Sequence, residues 1–221
     1  MKFLIIFLTV LSCFGAQQPP ATWQLYKWAL NGNGDYTPVS APGSGGDVAT
    51  FAFGASTKPY AAFLTTIVDT NLLGDLTGKQ LTATVSVSGS ATFVYGGQFS
   101  WNSNSTVPAN TRLYFSTSAA TYDIDIANTN STAFWWSHYG VCVITNGAGG
   151  IIADTFTPSH WSDANGHPGD DPGYIDAFNA AVANVQQIGV SFGGGSFFDC
   201  GVALWPHTGS ASFHLVSFTA N

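Results

Sequence analysis

The clearest periodic stretch of the chain is QLTATVSVS (Gln80 to Ser88), in which Leu81, Ala83, Val85 and Val87 are apolar and Thr82, Thr84, Ser86 and Ser88 are polar. Strict period-two alternation predicts a strand with one face on a core and the other in water. Further strands are predicted at ATWQLYKWAL (Ala21 to Leu30), VATFAF, AAFLTTIV, ATFVYGGQFSW, TRLYFST, GGIIADTF, QQIGVSFGGG, CGVALW and SASFHLVSFTA. Between them, NGNGDYTPVSAPGSGGD (Asn31 to Asp47) reads as a Gly/Pro/Ser-rich loop, and SHWSDANGHPGDDPG (Ser159 to Gly173) as a long polar one. One segment has helical spacing: Tyr174, Phe178, Ala181, Val182 and Val185 recur on one side, with Asp171 as N-cap and Pro172 at the first helical position. Roughly ten short strands and one short inserted helix near 172–184 predict an all-β fold, an antiparallel two-sheet β-sandwich of jelly-roll type. A closed barrel is the alternative.

The strand FWWSHYGVCVI (Phe134 to Ile144) has no polar face, so its register has to come from elsewhere. Ile188, Val190 and Phe192 alternate with Gln187, Gly189 and Ser191, and beyond a glycine turn Cys200, Val202 and Leu204 form a second apolar set. Cys200 therefore travels with a core face. If Cys142 is its partner, Phe134, Trp136 and Cys142 point inward and Trp135, Ser137, Tyr139 and Val141 outward. The same parity sets Trp205 outside. Two positions strain this register: an inward His138 needs a hydrogen-bond partner, and a bulge at Gly140 would exchange the faces partway.

Composition sharpens the class. The start MKFLIIFLTVLSCFGAQQPP places Lys2 before an apolar run from Phe3 to Leu11 and small residues up to Ala16. That is the layout of a secretory signal, and the run is too short to span a bilayer. Residues 1–16 are read as a signal peptide and 17–221 as one β-sandwich domain, secreted to the extracellular space or periplasm. Lipid anchoring through Cys13 is the alternative, with Leu11 a poor fit to the acylation motif. Charged residues are 8% of the chain, and every acidic one is Asp. Losing Lys2 leaves Lys27, Lys58, Lys79 and Arg112 and takes the formal charge from -7 to -8. Such a balance argues against nucleic acid and against an anionic membrane surface. Cys142 and Cys200 then remain as an even pair, in an oxidising compartment most simply a disulfide worth about 4 kcal/mol by loop-closure entropy. Two buried thiols are the alternative.

An outward Trp135 and Tyr139 admit two readings. They pack beneath a loop or the helix, or they form a platform for the C–H face of a pyranose while neighbouring Asn, Gln, Asp and Ser bond its hydroxyls. Few charges and many aromatic and neutral polar groups suit a neutral glycan, so Trp135, Tyr139 and Trp205, with Trp161 from the polar loop, are the candidate carbohydrate-binding residues. LTATVSVSG leading into an aromatic strand, GYIDAFNAAVANVQQIGVSFGGG and a last strand ASFHLVSF together resemble secreted bacterial carbohydrate-binding-module jelly rolls and laminin-B-like extracellular modules. The resemblance covers most of Ala21 to Asn221 and is architectural. It implies glycan binding, and often a structural calcium ion. Asp163, Asn165 and Asp170 supply hard oxygens in one loop and are the candidate calcium ligands, although their spacing is not that of an EF-hand. Solvated loop carboxylates are the plainer account of them.

Catalytic signatures are weak. A glycoside hydrolase needs two facing carboxyl groups; Asp123 and Asp125 in YDIDIA share a strand face, as solvated edge charges also would. The histidines at 138, 160, 167, 207 and 214 lack zinc-protease spacing. Gly189-Val190-Ser191-Phe192-Gly193 spells G-x-S-x-G, but Ser191 falls mid-strand with no helix after it. The expectation is a secreted, non-catalytic, carbohydrate-binding sandwich whose partner is a polysaccharide or glycan and whose one conceivable cofactor is calcium. A structural or adhesive extracellular protein is the competing class, and an Asp-based glycoside hydrolase the third.

Overall fold

The computed structural model describes residues 22–28, 36–53, 60–95, 109–118, 129–138, 142–144, 149–193, 201–205 and 209–221. The expected signal peptide lies outside them. The described strands are β1 (Trp23–Trp28), β2 (Tyr36–Ser40), β3 (Ala49–Phe53), β4 (Tyr60–Thr66), β5 (Gln80–Gly89), β6 (Thr92–Tyr95) and β7 (Ala109–Ser116). They continue with β8 (Phe134–Ser137), β9 (Cys142–Ile144), β10 (Gly149–Thr155), β11 (Trp161–Asp163), β12 (Gln187–Gly193), β13 (Val202–Trp205) and β14 (Ala211–Ala220), and helix α1 (Ile175–Val182) precedes β12. The larger sheet runs β11-β8-β7-β12-β4-β1-β2, with β9 also on β7 and β13 bridging β4 to β6. The smaller runs β10-β5-β14-β3. The result is the expected antiparallel two-sheet sandwich, with α1 set before β12.

The alternation in β5 sets the core as the sequence predicts. Leu81, Ala83, Val85 and Val87 are buried together with Phe213 and Leu215 of β14, against Leu25, Leu64, Leu113, Ile188, Val190 and Phe192 of the larger sheet. Each large apolar side chain removed from water contributes about 1.5–3 kcal/mol. Phe192 and Phe213 meet edge-on across the two sheets at 4.9 Å, and Phe51 stacks on Phe213 at 5.2 Å.

The larger sheet is apolar on its other face too. Tyr26, Phe63, Tyr114, Ala133, Phe134 and Trp136 form a second buried cluster there. Beside it the Tyr114 hydroxyl donates to Gln187 Oε1 at 3.1 Å, satisfying two polar groups that have no water to turn to. This reverses the expected register of FWWS: Trp135 belongs to the intersheet core and Phe134 and Trp136 to the second cluster. The cause is a break in the ladder on β7. Tyr114 pairs with Trp136, so unbroken alternation would set Thr111 opposite residue 139, whereas Thr111 pairs with Cys142. An odd displacement of three positions flips the parity, and an inward Cys142 no longer implies an inward Trp136.

Two other expectations change. The Asn31 to Asp47 loop contains β2, which pairs with β1 and sits at the end of the sheet order, where Pro38 needs no inner neighbour for its missing N–H. The helix begins at Ile175, not at 172, and Tyr174 is its N-cap. Asp171 closes the preceding turn instead, accepting the Gly173 N–H at 2.9 Å on Oδ1 and the Tyr174 N–H at 2.8 Å on its carbonyl. Phe178, Ala181 and Val182 face the core as their spacing predicts.

Candidate functional site

Two of the four candidate sugar-platform residues, Trp135 and Trp161, are not at the surface. Trp135 is fully buried, its indole N–H donating to the Thr132 carbonyl at 2.8 Å. Trp161 lies in β11 rather than in a loop, equally buried, donating to the Thr155 carbonyl at 2.8 Å and stacked on Phe156 at 5.4 Å. Neither ring has a face left for a ligand. Tyr139 lies outside the described residues, as do Cys200, Asp123 and Asp125, and of Trp205 and Cys142 only the backbones in β13 and β9 are described. The expected Cys142–Cys200 disulfide therefore falls outside the described residues.

The candidate calcium ligands separate. Asp163 is buried and closes its own loop. Its Oδ1 accepts the Asn165 and His167 backbone N–H groups at 3.0 and 2.8 Å, and its Oδ2 accepts the Ser131 hydroxyl at 2.6 Å and His167 Nδ1 at 3.0 Å. With both oxygens engaged by protein donors it does not fit a cation, and Asn165 and Asp170 stay exposed. Among the described residues no group of three His, Cys, Asp or Glu side chains is disposed to hold a metal. Ser191 lies mid-strand in β12, as its context predicts, and is buried there.

Charge gathers where β10 meets the ends of β8 and β11. Asp154 points into the core beside Leu81 and is held by His160 Nδ1 at 2.7 Å, while its Oδ2 has no hydrogen-bond partner. Burial pushes the Asp154 carboxyl up, and the His160 hydrogen bond offsets part of that. Burial also pulls down the half-buried His138, and brings Arg112 to about 10.

Open polar surface is found on the outer face of the smaller sheet. Thr82, Thr84, Ser86 and Ser88 of β5 face outward by alternation, and β14 sets Thr219, Ser217, His214 and Ser212 opposite them. On the flanks, β3 places Thr50 beside His214 and β10 places Ile151 beside Thr84. Ile151 is 70% exposed and Val216, at the β14 bulge, 39%. The face is thus two ranks of hydroxyls with a small apolar rim and one imidazole.

That imidazole is held from both sides. His214 Nδ1 lies 2.8 Å from Asp47 Oδ2, and His214 Nε2 lies 3.0 Å from Ser88 Oγ. Asp47 comes from the loop before β3, which is pinned by Val48 N–H to the Leu215 carbonyl at 2.8 Å and by Thr50 Oγ to the Pro42 carbonyl at 3.0 Å. Gly43 permits the close turn, since a Cβ there would stand 1.9 Å from the Asp47 carbonyl oxygen. A carboxylate accepts only, so Nδ1 donates to Asp47, and in the neutral ring Nε2 is then the nitrogen that accepts from the Ser88 hydroxyl. Sequence reading missed this group. Both Ser88 and His214 do fall on polar positions of alternating strands, but nothing local pairs β5 with β14 or brings Asp47 to their edge.

No protein-family model matches the chain, and no curated protein or solved structure matches it.

Proposed function

We propose that the chain is a secreted carbohydrate-binding β-sandwich whose glycan lies on the open face of the smaller sheet. The observation that carries this reading is the double rank of outward hydroxyls on β5 and β14 with Ile151 and Val216 beside Thr84. Ser and Thr hydroxyls both donate and accept, as sugar hydroxyls do, and strands fix them about 7 Å apart along the chain and about 4.8 Å across it. The exposed apolar groups supply contact for a C–H face. A surface with little charge favours a neutral polymer, and the start MKFLIIFLTVLSCFGA supports export. Export brings with it a Cys142–Cys200 disulfide, which a mass determination with and without reductant tests.

Retention on insoluble cellulose, chitin and xylan, with affinity electrophoresis against soluble glucans, tests the binding. Wild type is expected to be retained, and Thr84→Lys and Ile151→Asp to weaken retention by about tenfold or more, or roughly 1.4 kcal/mol. Absence of binding across the panel would hand the molecule to the structural or adhesive class.

A further inference from the structure

We infer that Ser88, His214 and Asp47 form an acyl-transfer site that hydrolyses small esters. Three separate chain segments converge to make it: β5, β14 and the loop before β3. The contacts run in the order such chemistry needs, Ser88 Oγ beside Nε2 at 3.0 Å and Nδ1 beside the Asp47 carboxylate at 2.8 Å. Neither bond belongs to a backbone ladder, so the sheet does not require them. The Ser88 side is exposed, whereas His214 and Asp47 are only 25% and 18% exposed, so the nucleophile meets solvent while its base and orienting group are sheltered.

The step balances without a cofactor. Ser88 Oγ attacks the ester carbonyl carbon as its proton passes to His214 Nε2, and the carbonyl π pair moves onto oxygen. Collapse of that tetrahedral species expels the alcohol, which takes the proton from His214 and leaves an acyl-serine. Water, deprotonated by the same nitrogen, then attacks the acyl-serine. As the acyl C–O bond breaks, Ser88 Oγ takes that proton back from His214 Nε2, releasing the acid and restoring the free serine and neutral imidazole. Asp47 is a positioning residue that fixes the imidazole tautomer. The flat surroundings of Ser, Thr and small apolar groups suit a short acyl chain on a neutral alcohol.

The test uses the full chain, p-nitrophenyl acetate and a fluorophosphonate probe, and needs no glycan. A covalent adduct mapped by peptide mass to Ser88 is expected, lost in Ser88→Ala. Ester hydrolysis should fall on the order of 100-fold or more in Ser88→Ala and His214→Gln. Asp47→Asn should lower kcat with KM unchanged, and Asp47→Glu should restore part of it. Absence of an adduct at Ser88 in wild type, or a Ser88→Ala protein that melts like wild type and hydrolyses the ester at the wild-type rate, overturns the inference. Glycan retention is scored separately, so either reading can fail alone.

Discussion

The Phe178 ring of α1 meets the Trp135 indole of β8 edge-on, with centroids 5.0 Å apart and planes at 83°. Phe178 also meets Phe115 at 6.1 Å, so the helix docks on the larger sheet through one ring set between two others. Trp135→Ala should therefore cost about 3–5 kcal/mol, the range for emptying a large aromatic site in a packed core. In a double-mutant cycle with Phe178→Leu the pair should show a coupling of about 0.5–1.5 kcal/mol. Urea unfolding of the four proteins measures both; a surface Trp135 would give a loss near zero.

Gly189 lies in β12 against β4: a Cβ there would stand 2.1 Å from the Leu64 carbonyl oxygen and 2.8 Å from Thr65 Cα. Both contacts are backbone, so no rotamer can relieve them. Gly189→Ala should destabilise by about 1–3 kcal/mol through forced strand separation. Thermal melts would reveal it, and an unchanged melting temperature would mean that the β4–β12 ladder opens freely.

What the sequence discloses depends on how far each inference has to travel. Parity within one strand is local, and the faces of β5 and β12 follow from it directly, whereas β14 changes parity at its bulge between Leu215 and Ser217. Parity carried from Cys142 back to Trp135 crosses the Gly140 region, where three positions enter between β8 and β9. A single odd insertion reverses every residue upstream of it. The two-sided burial of the larger sheet has the same effect on Trp135, Trp136 and Trp161: when both faces are apolar, hydrophobicity cannot say which side is which. Ser88, His214 and Asp47 were hidden for another reason, since 126 positions separate the serine from the histidine and only sheet pairing joins them.

The buried hydroxyl of Tyr114 donates to Gln187 across neighbouring strands, from inside the second aromatic cluster. Removing it leaves the Gln187 amide oxygen without that donor in a dry site. Tyr114→Phe should cost about 1–3 kcal/mol, whereas a hydroxyl facing water would cost almost nothing. Equilibrium denaturation distinguishes the two.

His138 is pulled below 6.5 chiefly by burial and then by Arg112, against the Ser159 backbone hydrogen bond and the charges of Asp154 and Asp170. A depressed imidazole stays neutral in the folded chain while the unfolded chain takes a proton. Its effect is absent well above 6.5, and folded stability is lost as pH falls below that value towards the folded pKa. Melting temperatures of wild type and His138→Gln should therefore diverge between pH 7.5 and 5 (values of about a unit either side of the ordinary histidine range), with wild type losing more. Parallel curves would show that His138 titrates as it would in water.

Asp154 produces the opposite slope. Its carboxyl is raised above 3.8 because burial disfavours the charged form more strongly than His160 supports it. Below 3.8 the group is neutral in folded and unfolded chains alike and has no effect on the difference between them. As pH rises past that point the unfolded chain ionises first, so the folded state holds the extra proton and loses stability until its own raised pKa is passed. Asp154→Asn removes the titration and still offers His160 a carbonyl oxygen. The variant should gain on wild type as pH climbs from about 3 to 7, the span over which a raised carboxyl titrates. Were wild type to gain instead, the His160 contact would outweigh burial, and the core around Leu81 would have to admit enough water to solvate the charge.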